Sequence, residues 1–183
     1  MNTTTTTTVV IIVGIIVLVA AVLFAMWVIR RRRHATLQER FGPEYEREVR
    51  ARGSERDADR HLGAVADRRD RLDIRDLEPA ARDRDTQRWQ TVQTEFVDRP
   101  GSALDQADQL VTEVMHDRGY PVEDFTERAE LVAADHPQVV EHYRAAQAVR
   151  QTHHGDSESS NTEDLRQAFV HYRALFEELV RER

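Results

Sequence analysis

Residues Val9 to Ile29 carry no charged side chain, and the run is closed by Arg30, Arg31, Arg32 and Arg33. As an α-helix rising 1.5 Å per residue, such a stretch is about 31 Å long, the thickness of the hydrocarbon core of a bilayer. A helix that is apolar all round needs either lipid or a large protein body around it. With 32% of the chain charged, the remaining sequence is too polar to supply that body. The sequence therefore predicts one transmembrane helix over residues 9–29. A cleaved secretory leader is the competing reading, and it fails on three points. Met1 to Thr8 has no basic side chain, the apolar run is long, and Phe24, Met26, Trp27 and Ile29 stand where cleavage needs small residues.

The charges beside the run all lie on its carboxyl side, which by the positive-inside rule places Arg30, Arg31, Arg32 and Arg33 at the cytoplasmic face. The amino terminus is then expected outside and the soluble domain in the cytoplasm. Trp27, one turn before the arginines, sits where an amphipathic ring prefers the interface. These five residues are the expected membrane-topology and lipid-contact positions, each arginine adding about 1 kcal/mol of attraction to anionic lipid. Ala21 and Ala25 form a small-xxx-small pair that suits close approach of two spans, so a homo-oligomer is a further expectation. Residues 1–8 form a threonine-rich tail, and residues 30–34 a basic juxtamembrane segment.

Beyond residue 33 the chain is long enough for one modest domain with a neck. It lacks cysteine, which removes disulfides and thiolate metal sites. From residue 34 onward 22 arginines face 33 acidic residues, and the imbalance is concentrated at the far end. Residues 34–90 hold 13 arginines against 14 acids, and residues 91–183 hold 9 against 19. So acidic a domain repels phosphate backbones, and nucleic acid is not an expected partner.

Residues 35–78 read as a charged helical neck. It has a break at Gly42-Pro43, because proline disfavours a helical residue before it and can itself begin the next helix. Phe41, Tyr45 and Val49 make a narrow apolar stripe. From Ser54 to Asp73 both signs of charge interleave around a thin seam of Ala58, Leu62, Val65, Ala66 and Leu72, a pattern suited to a solvated helix held by i,i+4 pairs. Residues 79–183 read as an acidic helical bundle with a polar loop at 152–160. Ala81, Trp89, Val92 and Phe96 share one helix face, ending before Pro100-Gly101. Leu104, Ala107, Leu110, Val111, Val114 and Met115 form the cleanest stripe, with Ser102 as its expected cap and Gly119 as its terminator. A helix over about 123–134 follows, then Asp135 as cap and Pro137 as first turn of another, to about Gln151. The last helix opens with Ser160 and Glu163 at capping-box spacing and turns Leu165, Ala168, Phe169, Tyr172, Phe176, Leu179 and Val180 inward. No useful period-2 run occurs, so the expected class is all-α: a transmembrane helix, a helical neck and a bundle.

Three groups invite a chemical reading. Glu113-x-x-His116 has the i,i+3 spacing of di-iron bundles, but lacks the second copy they need and falls away from the apolar stripe, so solvent is its expected surrounding. His-Tyr-Arg-Ala occurs twice, at His142-Tyr143-Arg144-Ala145 and His171-Tyr172-Arg173-Ala174. A catalytic reading pairs the histidines across facing helices as acid and base. The simpler one gives tyrosine a packing role and lays the arginine stem along the stripe. His153-His154 lies in the polar loop without the rigid shell that a catalytic metal needs. Phosphate loops, serine elbows and zinc motifs are missing, so no catalytic, cofactor or metal residues are expected.

Specific segments carry a likeness to a known family: Arg40-Phe41-Gly42-Pro43-Glu44-Tyr45, Leu72-Asp73-Ile74-Arg75, Arg118-Gly119-Tyr120-Pro121, Asp135-His136-Pro137 and His171-Tyr172-Arg173-Ala174-Leu175-Phe176. Over about residues 40–180 the chain resembles an uncharacterised family of single-span, arginine-rich membrane-anchored proteins from high-GC Gram-positive bacteria. The resemblance implies membrane attachment and brings no activity or site residues. Some such proteins are labelled secreted, which conflicts with the arginines, and the arginines decide the orientation. The expectation is a membrane-tethered interaction module that meets lipid and a protein partner, without catalysis of its own. The alternative is an enzyme or ligand binder using the paired His and Tyr groups.

Overall fold

The computed structural model describes the backbone of residues 3–155 and 162–181, and the side chains of residues 18–152 and 162–181. Among the described residues every regular element is a helix: α1 (Thr3–Phe41), α2 (Pro43–Arg52), α3 (Glu55–Arg69), α4 (Pro79–Asp98), α5 (Pro100–Asp117), α6 (Phe125–Asp135), α7 (Val140–Gly155) and α8 (Thr162–Val180). The all-α class is therefore correct. The chain divides into two compact units, residues 1–39 and residues 40–183.

Within the second unit α5 is the centre. Ala103, Leu104, Ala107, Leu110, Val111, Val114 and Met115 are all buried, the complete stripe expected from its spacing. It packs between α4 and α8, while α7 and α8 make the most extensive helix–helix contact in the unit. Trp89 of α4 stacks on Phe169 and Phe176 of α8, with ring centroids 5.2 and 4.7 Å apart, joining the two helices through aromatic faces.

The body begins at Arg40 rather than near residue 79, so the expected solvated neck is replaced by packed helices. In α3 Ala58, Leu62, Val65 and Ala66 are buried, and the helix lies on α6. The small seam residues allow close approach, and the flanking charges pair across the contact as well as along α3, where Arg60 meets Asp57. Arg68 meets Glu127 at 2.7 Å, Arg69 meets Asp135 at 2.6 Å and His61 meets Glu130 at 3.0 Å.

Helix boundaries follow backbone chemistry. Gly42, at φ +48°, breaks α1 from α2 ahead of Pro43, and Gly53, at φ +69°, ends α2 with its N–H on the Val49 carbonyl. Gly119 closes α5 at φ +97°, and a Cβ there would lie 2.5 Å from the Asp73 carbonyl oxygen, so the segment between α3 and α4 can run against it only because it is glycine.

Two expected caps are not caps. Ser102 lies inside the first turn of α5, which Pro100 opens, and its hydroxyl donates to Glu95. Asp135 ends α6 instead of opening α7, which starts at Val140; its carboxylate accepts from Arg69 and, at 2.5 Å, from the Tyr120 hydroxyl. Charged and hydroxyl donors outbid a cap amide for that carboxylate. The expected loop at 152–160 and the Ser160 cap lie largely outside the described residues, and α7 runs on to Gly155.

Candidate functional site

The five residues expected to meet lipid lie on α1. From Leu18 to Ile29 its described surface is apolar and open: Leu18, Val19, Val22, Leu23, Phe24, Met26, Trp27 and Ile29 are each at least half exposed. Phe24 stacks on Trp27 at 5.9 Å, and the Arg31 guanidinium sits over the Trp27 ring at 5.4 Å. Trp27, Val28, Arg31, Arg32 and Ala35 line an open groove at this apolar-to-basic boundary. A cation held over an indole face is at home at such a boundary, with the ring in a medium of lower polarity and the guanidinium in water. Among the described residues no helix is long and apolar enough to cross a membrane. The described apolar side chains begin only at Leu18, leaving a run too short against the ~20 residues that a span requires. The side chains of Val9 to Val17, the first part of the expected span, lie outside the described residues.

The second site is the repeated tetrapeptide. His136, four residues ahead of α7, meets Glu178 of α8, and His142 of α7 meets His171, so the numbers rise on one side as they fall on the other and the helices are antiparallel. The two copies of His-Tyr-Arg-Ala face each other at this crossing. Histidine meets histidine, Nδ1 to Nδ1 at 2.8 Å, and tyrosine meets tyrosine edge to face at 6.4 Å. Like meeting like is what a local two-fold axis between two antiparallel helices requires. The imidazoles meet edge to edge, their planes 28° apart: their centroids are 4.9 Å apart, little less than the two ring radii plus the nitrogen–nitrogen gap.

Beyond the crossing the symmetry is lost. Arg144 pairs with the buried Glu44 of α2, whereas Arg173 pairs with Glu177 on its own helix. The Tyr172 hydroxyl donates to Asp108 of α5 at 2.9 Å and lies 3.0 Å from the Gln147 amide oxygen. Burial, then the Asp108 carboxylate, hold the Tyr172 hydroxyl far above the usual phenol range. Burial pushes Tyr143 up to about 12, and the Arg128 guanidinium lies 5.7 Å from its ring centroid. Both phenols stay protonated at neutral pH and serve as fixed dipoles, not bases. Burial and the His142 charge hold the His171 imidazole below its ordinary range.

Glu113 and His116 do not converge on anything. The Glu113 carboxylate accepts from Arg88 at 2.6 Å and from Gln109, and Arg88 holds it below the usual carboxylate range. The His116 side chain is 72% exposed. The side chains of His153 and His154 lie outside the described residues. Among the described residues no three His, Asp or Glu side chains converge as a metal would need.

Sequence reasoning missed Arg118, which is 1% exposed at the end of α5. Its Nε donates to the Arg75 carbonyl, Nη1 to the Leu179 carbonyl at 2.7 Å and Nη2 to Asp76. One guanidinium thus ties the α3–α4 segment and the end of α8 to α5. The Glu44–Arg144 pair was missed as well, since a glutamate in the first turn of a helix reads as a surface residue. Comparison of the chain with protein-family models, curated proteins and solved structures found no match.

Proposed function

We propose that this chain is a membrane-tethered helical interaction module: residues 9–29 span the bilayer, Arg30 to Arg33 hold the cytoplasmic side, and the helices from Arg40 onward bind another protein. The observation that carries the proposal is the open apolar surface of α1, which ends at four consecutive arginines with Arg31 over Trp27. So much exposed apolar side chain is costly in water, at roughly 25 cal/mol per Å², and lipid relieves that cost. What supports a binding role is the acidic excess of the body's sequence and an interior in which Trp89, Tyr120, Tyr143, Tyr172 and Phe176 are buried in packing. Fractionation tests the tether. The full chain stays in the membrane pellet through high salt and alkaline carbonate, and a variant lacking residues 9–33 moves to the supernatant. Release of the full chain by salt alone refutes the span.

A second reading, an enzyme or small-ligand binder, is favoured by the convergence of His142 with His171 and of Tyr143 with Tyr172. It predicts a ligand that perturbs those imidazole resonances in the full chain, and it fails if no small-molecule class does so.

A further inference from the structure

The His142–His171 contact has a proton limit built into its geometry. At 2.8 Å, Nδ1 to Nδ1, one nitrogen must donate and the other accept. A neutral pair meets this with one Nδ1–H tautomer facing one Nε2–H tautomer. A singly charged pair meets it with an imidazolium donating to a neutral ring, a stronger, charge-assisted bond. A doubly charged pair cannot meet it, because two N–H groups and two positive charges then face each other. We infer that His142 and His171 form a one-proton clasp between α7 and α8, closed while a single proton lies between the two Nδ1 atoms and opened when acid places a proton on each.

The surroundings leave the second proton uncompensated. On α7 the neighbouring charges are Glu141, which is exposed, and Arg144, which is taken by Glu44 of α2. On α8 Arg173 is paired with Glu177, and Glu178 with His136 and Arg181. From α5, Asp108 is engaged by Tyr172 and Arg150, and Asp105 lies by Arg150. From α6, Arg128 lies against the rings of Phe125 and Tyr143 and adds a further positive charge. Among the described residues, the hydrogen bond of each imidazole is to the other imidazole. Burial and His142 both oppose protonation of His171, in keeping with the geometry. Because its folded value is depressed below the ordinary 6.5, the clasp contributes stability that is complete above that pH and is lost as pH falls below it. Unlike His136, whose bond to Glu178 strengthens when the ring is charged, this contact weakens in acid, at the most extensive helix–helix packing of the body.

The test uses the full chain in detergent micelles. Unfolding is followed by circular dichroism at pH 7.5 and pH 5.5 for the native chain and for His171→Gln. The native chain should lose more stability in acid than the variant, by up to about tenfold in the folded-to-unfolded ratio, because pH 5.5 lies one unit below the ordinary 6.5 of the unfolded imidazole. Equal losses in the two chains overturn the clasp. Should the variant fail to fold, imidazole nitrogen NMR of the native chain decides. One Nδ1-protonated and one Nε2-protonated ring at pH 7.5, titrating in two coupled steps, support the clasp, and two averaged rings titrating independently overturn it.

Discussion

Replacing Arg118 by methionine keeps most of the aliphatic stem and removes the guanidinium that joins three segments. Its two carbonyl contacts dominate the expected loss. The bond to the Leu179 carbonyl, at 2.7 Å between buried groups, belongs to the charge-assisted class worth about 1.5–3 kcal/mol. The bond to the Arg75 carbonyl is longer, at 3.2 Å, and is weighted at about 1 kcal/mol. The Asp76 contact, at 3.4 Å to a carboxylate 44% exposed, adds little because solvent screens it. Against this stands the desolvation that a buried guanidinium no longer suffers, which offsets part of the loss. The balance is about 3 kcal/mol, a large share of the 5–15 kcal/mol typical of a domain. Urea unfolding of the full chain in micelles reads it directly, and the thermal midpoint should fall by roughly 6–12 °C. The loss should also be local first: limited proteolysis should cut within residues 70–78, where Arg118 no longer holds the backbone. A variant within about 1 kcal/mol of the native chain, uncut in that segment, refutes the assignment of Arg118 as the tie.

Two further perturbations separate backbone geometry from surface charge. Gly119→Ala should cost about 2–4 kcal/mol in the same unfolding assay, combining a left-handed φ with a methyl driven at the Asp73 carbonyl, whereas Gly53→Ala, with open space around its Cβ, should cost about 1 kcal/mol. Equal costs would show that the Asp73 contact does not matter. The Glu163 carboxylate, held down to about 2 first by Arg166 and then by Gln167, should stay ionised in an NMR titration well below the ordinary 4.5, and Arg166→Ala should return it toward that value. A depressed carboxylate contributes stability above its unfolded value and loses it as pH falls toward the folded one, so acid should loosen the start of α8 only below about pH 4.5.

What the chain discloses in advance depends on whether the governing interactions are local. The α5 stripe from Leu104 to Met115 repeats at helical spacing, and all of it is buried. The Gly42-Pro43 break is written in the backbone preferences of those two residues. Asp135 was illegible for the opposite reason. Its local context is that of a cap, but its partner Arg69 lies 66 residues away. The α3 seam looked too thin for a core because the surface that covers it, on α6, has no sequence relation to it. The repeated His-Tyr-Arg-Ala was visible as a repeat, whereas the antiparallel crossing that sets each copy against the other is a property of the fold. Arg118 was hidden by its residue type, since arginine is rarely buried without a partner and here the partners are mainly backbone carbonyls.

A tag at the carboxyl terminus tests most directly whether the body is tethered on the cytoplasmic side of a membrane, as proposed. Intact protoplasts carrying the tagged chain are exposed to external protease, with and without lysis. In the proposed orientation, with Arg30 to Arg33 at the inner face by the positive-inside rule, the tag survives until the membrane is broken. Loss of the tag from unbroken protoplasts would contradict it and would place the acidic helices outside the membrane.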